Sequence, residues 1–209
     1  MANSFSGLGD LELFPFEPSW ADPPSMTPVF VRRIISQRGT VQDVESVTGD
    51  VPARMTLGFS LLSAEDVLAF SDFFMERKGR LGRFWLMHPA CAFTLAASAS
   101  LNQNLLVCRD NLAARQFQGY ERIYLLMNDG DILIRQVTAV ESDQDGSLCT
   151  LTLDADLDRV VTPDALARIG RVYLVRFDQD DLDFRFITPG AAGDVHLTFY
   201  ELVKEYGDV

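Results

Sequence analysis

Cysteine is scarce in this chain: Cys91, Cys108 and Cys149 are odd in number, widely spaced and form no C-x-x-C. That pattern excludes a disulfide framework and a zinc knuckle, and the expectation is buried thiols. Histidine is scarcer still. His88 and His196 are the whole complement, too few and too far apart to make a triad or a metal site by themselves. No apolar run approaches the ~20 residues of a membrane-spanning helix. Met1-Ala2-Asn3-Ser4 lacks the basic start and apolar middle of a secretory signal, so synthesis and retention in the cytosol is expected. Positive charge is short as well: 18 Lys and Arg against 30 Asp and Glu leave a net charge of −12. Phosphate backbones and anionic lipid would be repelled, which argues against sequence-specific nucleic-acid binding and against membrane insertion. G-x-S-x-G, H-E-x-x-H, G-x-x-x-x-G-K and G-x-G-x-x-G are all missing, and with them the best-defined signatures of hydrolases, zinc peptidases and nucleotide binders. These absences lead to the expectation of a non-enzymatic protein with no catalytic residue, cofactor or metal.

What is present is a globular composition. Of 209 residues, 47% are hydrophobic, 23% charged and 11% aromatic, with fifteen Phe. A chain of this size buries roughly 70% of its extended surface without staples, and its length suits one domain or one domain with an insertion.

The first thirty residues are rich in Pro and aromatics: Phe14-Pro15-Phe16-Glu17-Pro18, Trp20, Pro23-Pro24 and Pro28. Proline cannot donate to a ladder, so this stretch reads as an extended arm or a sheet edge, clasping another subunit or wrapping its own core. Val29-Phe30-Val31 with Ile34-Ile35 reads as a strand, paired with Val41 to Val47 across Gln37-Arg38-Gly39. Met55, Leu57, Phe59 and Leu61 alternate with smaller or polar residues and aim one row at a core. Ser63-Ala64-Glu65-Asp66 caps a helix over 63–78, whose Val67, Phe70 and Phe74 share a face and which Arg77, Lys78 and Gly79 close.

Leu81 to Met87 reads as a strand stopped by His88-Pro89. A small-residue stretch from Phe93 to Ser100 follows, then β runs at Leu105–Cys108, Tyr120–Met127, Ile132–Val140 and around Cys149, Leu151 and Leu153. Asn128-Asp129-Gly130-Asp131 and Asp145-Gly146 are their turns. Thr162-Pro163-Asp164 opens a short helix expected to end at Gly170. Val172–Phe177, then Leu182, Phe184 and Phe186, then Val195–Val203 after Pro189-Gly190 read as closing strands. The expected architecture is mainly β (α+β): a β-sandwich or barrel-like platform from 1–89 and 171–209 with one packed helix, and 90–170 as an inserted β subdomain.

Two acidic clusters bear on chemistry. Glu141-x-Asp143-x-Asp145-Gly146 begins like a calcium loop, but the twelfth position, where a bidentate Glu belongs, is Thr152. It reads as a solvated hairpin turn. Asp178, Asp180, Asp181 and Asp183 lie in a turn between strands, where Asp favours Asx-turns and like charges prefer water; the sharper alternatives are a calcium site or a carboxylate pair for glycoside hydrolysis. Trp20 and Trp85 are the candidates for stacking on a sugar ring, although a Trp inside Phe84-Trp85-Leu86 reads first as core.

Two stretches are more specific. Phe70-x-x-Phe73-Phe74-x-x-Arg77-x-Gly79-Arg80-x-Gly82-x-Phe84-Trp85 resembles the helix–strand element of the distal tail proteins of long-tailed bacteriophages and gene transfer agents. Val175-Arg176-Phe177-Asp178-x-Asp180-x-Leu182, with Leu197-x-Phe199-x-Glu201-Leu202, is similar to the closing strands of that family. The resemblance implies a ring, usually hexameric, that joins the tail tube to the baseplate or tip and lets DNA pass. It further implies a β platform around the lumen, an outward subdomain that binds carbohydrate in some members, and tail tube and tail hub proteins as partners. The place would be the virion, after synthesis in the host cytoplasm. In such a ring sheet edges can pair between subunits, and acidic side chains lining the pore would keep DNA from sticking. The competing readings are a carbohydrate-binding β-sandwich module and, behind it, a glycoside hydrolase on Asp178–Asp183.

Overall fold

The computed structural model describes residues 8–30, 51–90, 93–109, 121–143, 147–186, 193–203 and 205, and the backbone of 4–5, 32–35 and 43–46. In chain order the elements are β1 (Ser4–Phe5), β2 (Ser25–Pro28), β3 (Arg32–Ile35), β4 (Asp43–Ser46), β5 (Ala53–Leu61), α1 (Ala64–Glu76), β6 (Arg83–Met87), β7 (Thr94–Leu95), β8 (Leu105–Arg109), β9 (Arg122–Met127), β10 (Ile132–Ser142), β11 (Leu148–Leu153), β12 (Leu166–Phe177), β13 (Arg185–Phe186) and β14 (Gly193–Glu201). The protein is mainly β with a single packed α-helix among the described residues. Two compact units divide it: 15–84 with 174–205, the helix-bearing unit, and 1–14 with 85–173 and 206–209, the two-sheet unit.

In the helix-bearing unit β5 is central. It pairs antiparallel with β2 on one side and with β14 on the other, and β14 pairs with the end of β12 through Phe177↔Phe199. The alternation along β5 does what it promises: Met55, Leu57, Phe59 and Leu61 are buried while Arg54 and Ser60 are exposed. Ser63 opens α1 with a reciprocal capping box, its hydroxyl accepting from Asp66 N at 3.1 Å while its own N–H donates to the Asp66 carboxylate at 3.0 Å. Local side chains thus satisfy end donors that the helix itself cannot. The helix buries Phe70, Phe73 and Phe74. These rings join Phe59, Phe84, Phe177 and Phe199, with centroids 4.7 Å apart for Phe74–Phe177 and Phe84–Phe177.

The front arm packs on its own chain. Phe16 stacks 4.7 Å from Phe70 and Ser19 N donates to Gly58 O, yet Trp20, Met26 and Phe30 stay exposed. The edge that prolines allow is β2. Val29 N donates to Pro52 O, which puts 25, 27 and 29 in hydrogen bonds to β5 and turns 24, 26 and 28 outward. Two of those three positions are Pro, so only Met26 carries an outward N–H. The hairpin of β3 and β4 pairs Arg32↔Ser46 through Ile35↔Asp43, later than a start at Val29; its turn at Gln37-Arg38-Gly39 lies outside the described residues, as do Pro189-Gly190 and Asp145-Gly146.

In the two-sheet unit β9 lies between β12 and the first half of β10, with β1 parallel beside β10. The second half of β10, past an irregularity between Val137 and Ala139, pairs with β11; β11 pairs with β8, and β8 with β7. A bulge turns one long strand into a member of both sheets. The shared core is mostly aliphatic: Leu95, Leu106, Ile123, Leu125, Leu133, Val137, Leu151, Leu153, Leu157, Val161 and Ile169, with Phe93, Cys108 and Cys149. The β9–β10 turn has Gly130 at φ 87°, a left-handed position that costs glycine nothing.

Three expectations are corrected here. Thr162-Pro163-Asp164 opens only a 3-10 turn, Pro163–Ala165, after which β12 runs straight through Gly170. Gly170 is not a helix stop. A Cβ there would stand 2.4 Å from the Tyr124 ring, so the glycine exists to let a neighbouring-strand aromatic lie across the backbone. Leu182, Phe184 and Phe186 do not form a long strand either: β13 is two residues, and Phe184 instead packs 6.2 Å from Phe70 as an aromatic plug. Similarly, the strand expected from Leu81 begins at Arg83, since Gly79–Leu81 is a 3-10 turn.

Candidate functional site

The two stretches that stand out in the sequence meet in the helix-bearing unit. After the helix, Lys78 and Gly79 take left-handed conformations, φ 52° and 59°, and Gly82 N donates back to Arg77 O at 2.7 Å. Of the turn's backbone donors, Arg80 N reaches the 178–181 loop. Asp180 accepts from Arg80 N at 3.1 Å, and its other oxygen lies 3.7 Å from Arg80 Nε. Gly79 leaves no room for a side chain: a Cβ would sit 2.8 Å from Asp180 Oδ1 and 3.1 Å from its Cα. The Asp loop is braced from the other side, with Asp178 N donating to Thr198 O, Thr198 N to Gln179 Oε1, and Gln179 Nε2 to Asp181 O. The acidic run is therefore a clasp that ties a strand end to a helix end.

Further polar pairs tie the exposed face of the sheet. Arg54 Nε donates to Asp178 Oδ2 at 2.7 Å. Arg176 lies 5.7 Å over the Tyr200 ring, and the Thr56 and Thr198 hydroxyls share a hydrogen bond at 3.3 Å. His196, across from Gly58 on β5, donates to Asp22 of the front arm at 3.0 Å. All of these groups are at least partly exposed and paired. They hold the arm and the Asp loop, and bring no nucleophile to a base.

In the two-sheet unit the notable polar groups are internal. Trp85 is fully buried, its Nε1 donating to Leu8 O at 2.8 Å and its ring lying 4.5 Å below the Arg122 guanidinium. It offers no face to a sugar. Its backbone pairs with the arm, Phe14 N to Trp85 O and Trp85 N to Glu12 O. Arg135 is 3% exposed and donates to Ile134 O and Asp156 O, with Asp158 3.6 Å away. His88 accepts from Ala90 N at Nδ1, packs its ring 5.9 Å from Tyr173, and receives the Tyr124 hydroxyl on its carbonyl at 2.8 Å. Burial, then the charges of Arg171 and Arg168, push its pKa down to about 4. At neutral pH it is an uncharged strand-end anchor.

The other acidic turns also have structural work. Asp143 accepts from Ser147 N and Ser147 Oγ, both at 2.8 Å, as an Asx-type turn does. Arg159 forks onto Asp129 at 2.8 Å and Asp131 at 2.9 Å, and its hydrogen bond holds the Asp129 carboxyl below its usual range. Among the described residues no group of three or more His, Cys, Asp or Glu could hold a metal ion, and no helix is long and apolar enough to cross a membrane. What sequence reading missed was the meeting of Gly79-Arg80 with Asp180; Gly79 reads as a helix close and the Asp run as a turn, and nothing in their spacing links the two. No protein-family model and no curated protein matches the chain.

Proposed function

We propose that this chain is a structural, non-enzymatic protein of a bacteriophage tail tip, one subunit of a ring that joins the tail tube to the baseplate and allows DNA passage. The observation that carries the reading is the clasp. Phe70 to Trp85 and Val175 to Leu182 are the stretches that resemble distal tail proteins, and they form a single joint through Arg80 and Asp180. A mainly β unit with one helix packed on it supports the same reading. The partners in it are further copies of the chain, six in all, together with tail tube and tail hub proteins, within the virion.

Ring closure in this reading rests on side chains more than on strand addition at β2, whose outward edge offers one N–H between two prolines. The carbohydrate-binding alternative loses Trp85, which is buried, and keeps Trp20. A hydrolase on Asp178 and Asp180 would need carboxylates that are not already engaged by Arg54 and Arg80. Native mass measurement and electron microscopy of the purified chain test the proposal: closed rings at a multiple of the 23.3 kDa chain mass are expected. A protein that stays monomeric at every concentration and is missing from purified particles overturns it, and glycan binding lost on Trp20→Ala would favour the alternative.

A further inference from the structure

Cys108 on β8 and Cys149 on β11 stand directly opposite each other in the antiparallel register. Both are thiols, both are buried, at 0% and 1% exposure, and both belong to the core of the two-sheet unit. Directly opposed residues of an antiparallel pair project to the same face, with Cβ atoms ~4.5–5.5 Å apart. The ladder also fixes which kind of pair this is. Leu153 N donates to Asn104 O at 2.7 Å, and counting back in twos makes Leu151–Leu106 and Cys149–Cys108 hydrogen-bonded pairs, with Cα atoms ~5.5 Å apart. That Cα spacing falls inside the ~4.4–6.8 Å window of disulfides, while the Cβ spacing is somewhat above the ~3.5–4.5 Å that a relaxed bridge takes. A bond here would draw the strands together and carry strain, and strained bridges are the readily reduced ones.

We propose that Cys108 and Cys149 are a reversible redox pair, two thiols in reducing surroundings and a cross-strand disulfide tying β8 to β11 when a low-molecular-weight disulfide is the oxidant. One thiol loses its proton and its sulfur attacks a sulfur of R–S–S–R; that S–S bond breaks and one R–S⁻ leaves and takes a proton. The second thiol loses its proton and attacks the protein sulfur of the mixed disulfide, and the second R–S⁻ leaves. Two protein thiols are oxidised and one small disulfide is reduced to two thiols. Because neither sulfur reaches solvent, the first attack waits on local opening of the β8–β11 ladder, so the bond forms slowly in the folded protein and faster in mild denaturant. The bland account of the same residues is two small apolar fillers in a leucine-rich core; it gives no reason for oxidation to select this pair over one involving Cys91.

The test uses the whole folded chain with oxidised glutathione as the probe, followed by alkylation of remaining thiols and peptide mapping without reductant. Expected are a loss of about 2 Da, a linked peptide pair containing Cys108 and Cys149, and full reversal by dithiothreitol. Cys91→Ser should keep the bridge, and Cys108→Ala or Cys149→Ala should each abolish it. Recovery of both thiols unoxidised, a bridge that includes Cys91, or glutathione left attached to Cys108 or Cys149 without closing would each overturn the proposal. Mapping of the unmutated protein stands by itself if a variant fails to fold.

Discussion

The two units of this protein bury apolar surface by different means. In the helix-bearing unit the core is a set of phenylalanine rings from five elements, Phe59, Phe70, Phe73, Phe74, Phe84, Phe177 and Phe199, tilted or edge-on to one another at 4.7–6.4 Å. In the two-sheet unit it is Leu, Ile and Val between sheets, and the buried charged residues, Arg122 and Arg135, are found there. Large flat rings meet edge-on where the helix lies on the sheet, and branched aliphatics fill the space between the strands that share β10. One unit therefore concentrates its stability in a few residues, and the other spreads it over many and adds polar groups that must stay paired.

The largest effect should come from the ring cluster. Phe177 touches Phe73, Phe74, Phe84 and Phe199, so Phe177→Ala should cost ~3–5 kcal/mol in urea unfolding. Phe177→Leu should cost appreciably less. A loss under ~1 kcal/mol for the alanine variant would mean that the cluster collapses around the gap, and the contrast between the units would fail.

Acid should act on the other unit. Burial beside Arg171 and Arg168 lowers the His88 pKa to about 4 from 6.5, so between those values the unfolded chain binds a proton that the folded one refuses. Stability from this source is complete above pH 6.5 and falls as the pH drops toward 4, by up to about 3 kcal/mol. His88→Gln should flatten that slope. An unchanged slope in the variant would place the acid sensitivity elsewhere.

Much of the fold was legible because it is written locally. Met55 to Leu61 alternates since one face of β5 is buried, and Ser63 with Asp66 caps α1 through contacts three residues apart. Misreadings came where a distant residue decides. Gly170 follows a Pro-opened turn and looks like a helix stop, but its reason is the ring of Tyr124, a strand away. Phe184 fits an alternating pattern and is held by Phe70 without a ladder. The pairing of Cys108 with Cys149 is set by register, which no spacing reveals. For the clasp, both halves could be seen as unusual, and only folding brings Asp180 onto Arg80.

Two glycines, one in each unit, sharpen the comparison at smaller cost. Gly170 has an ordinary strand conformation and no space, since an added Cβ meets the Tyr124 ring at 2.4–2.6 Å. Gly170→Ala should cost ~1–3 kcal/mol by overpacking, and it should be partly relieved when Tyr124→Leu removes the outer ring atoms. Gly79 adds a backbone constraint, φ 59°, to a milder shortage of space, with Asp180 Oδ1 at 2.8 Å. Gly79→Ala should cost ~1–2 kcal/mol, mainly through the left-handed backbone, so Asp180→Ala should not rescue it. Thermal unfolding of the four single and two double variants separates space from conformation; rescue of both glycine variants, or of neither, breaks the distinction.

The smallest effect on stability should be at the β2 edge, where the expected readout is association. Pro28 ends the exposed edge strand β2 and Pro24 immediately precedes it, and each removes a donor that a second chain could use. Replacing both with Thr leaves the inward bonds of 25, 27 and 29 to β5 untouched, so the unfolding midpoint should move little, within ~0.5 kcal/mol. The edge would then present three evenly spaced N–H groups in place of one. Pairing through such an edge needs no complementary surface, only another copy, and so the double variant should show concentration-dependent, open-ended association in sedimentation velocity. The single variants should show less, because one remaining proline still interrupts the donor row. A double variant that sediments like the parent would mean that Trp20, Met26 and the arm around them, rather than missing donors, keep this edge closed.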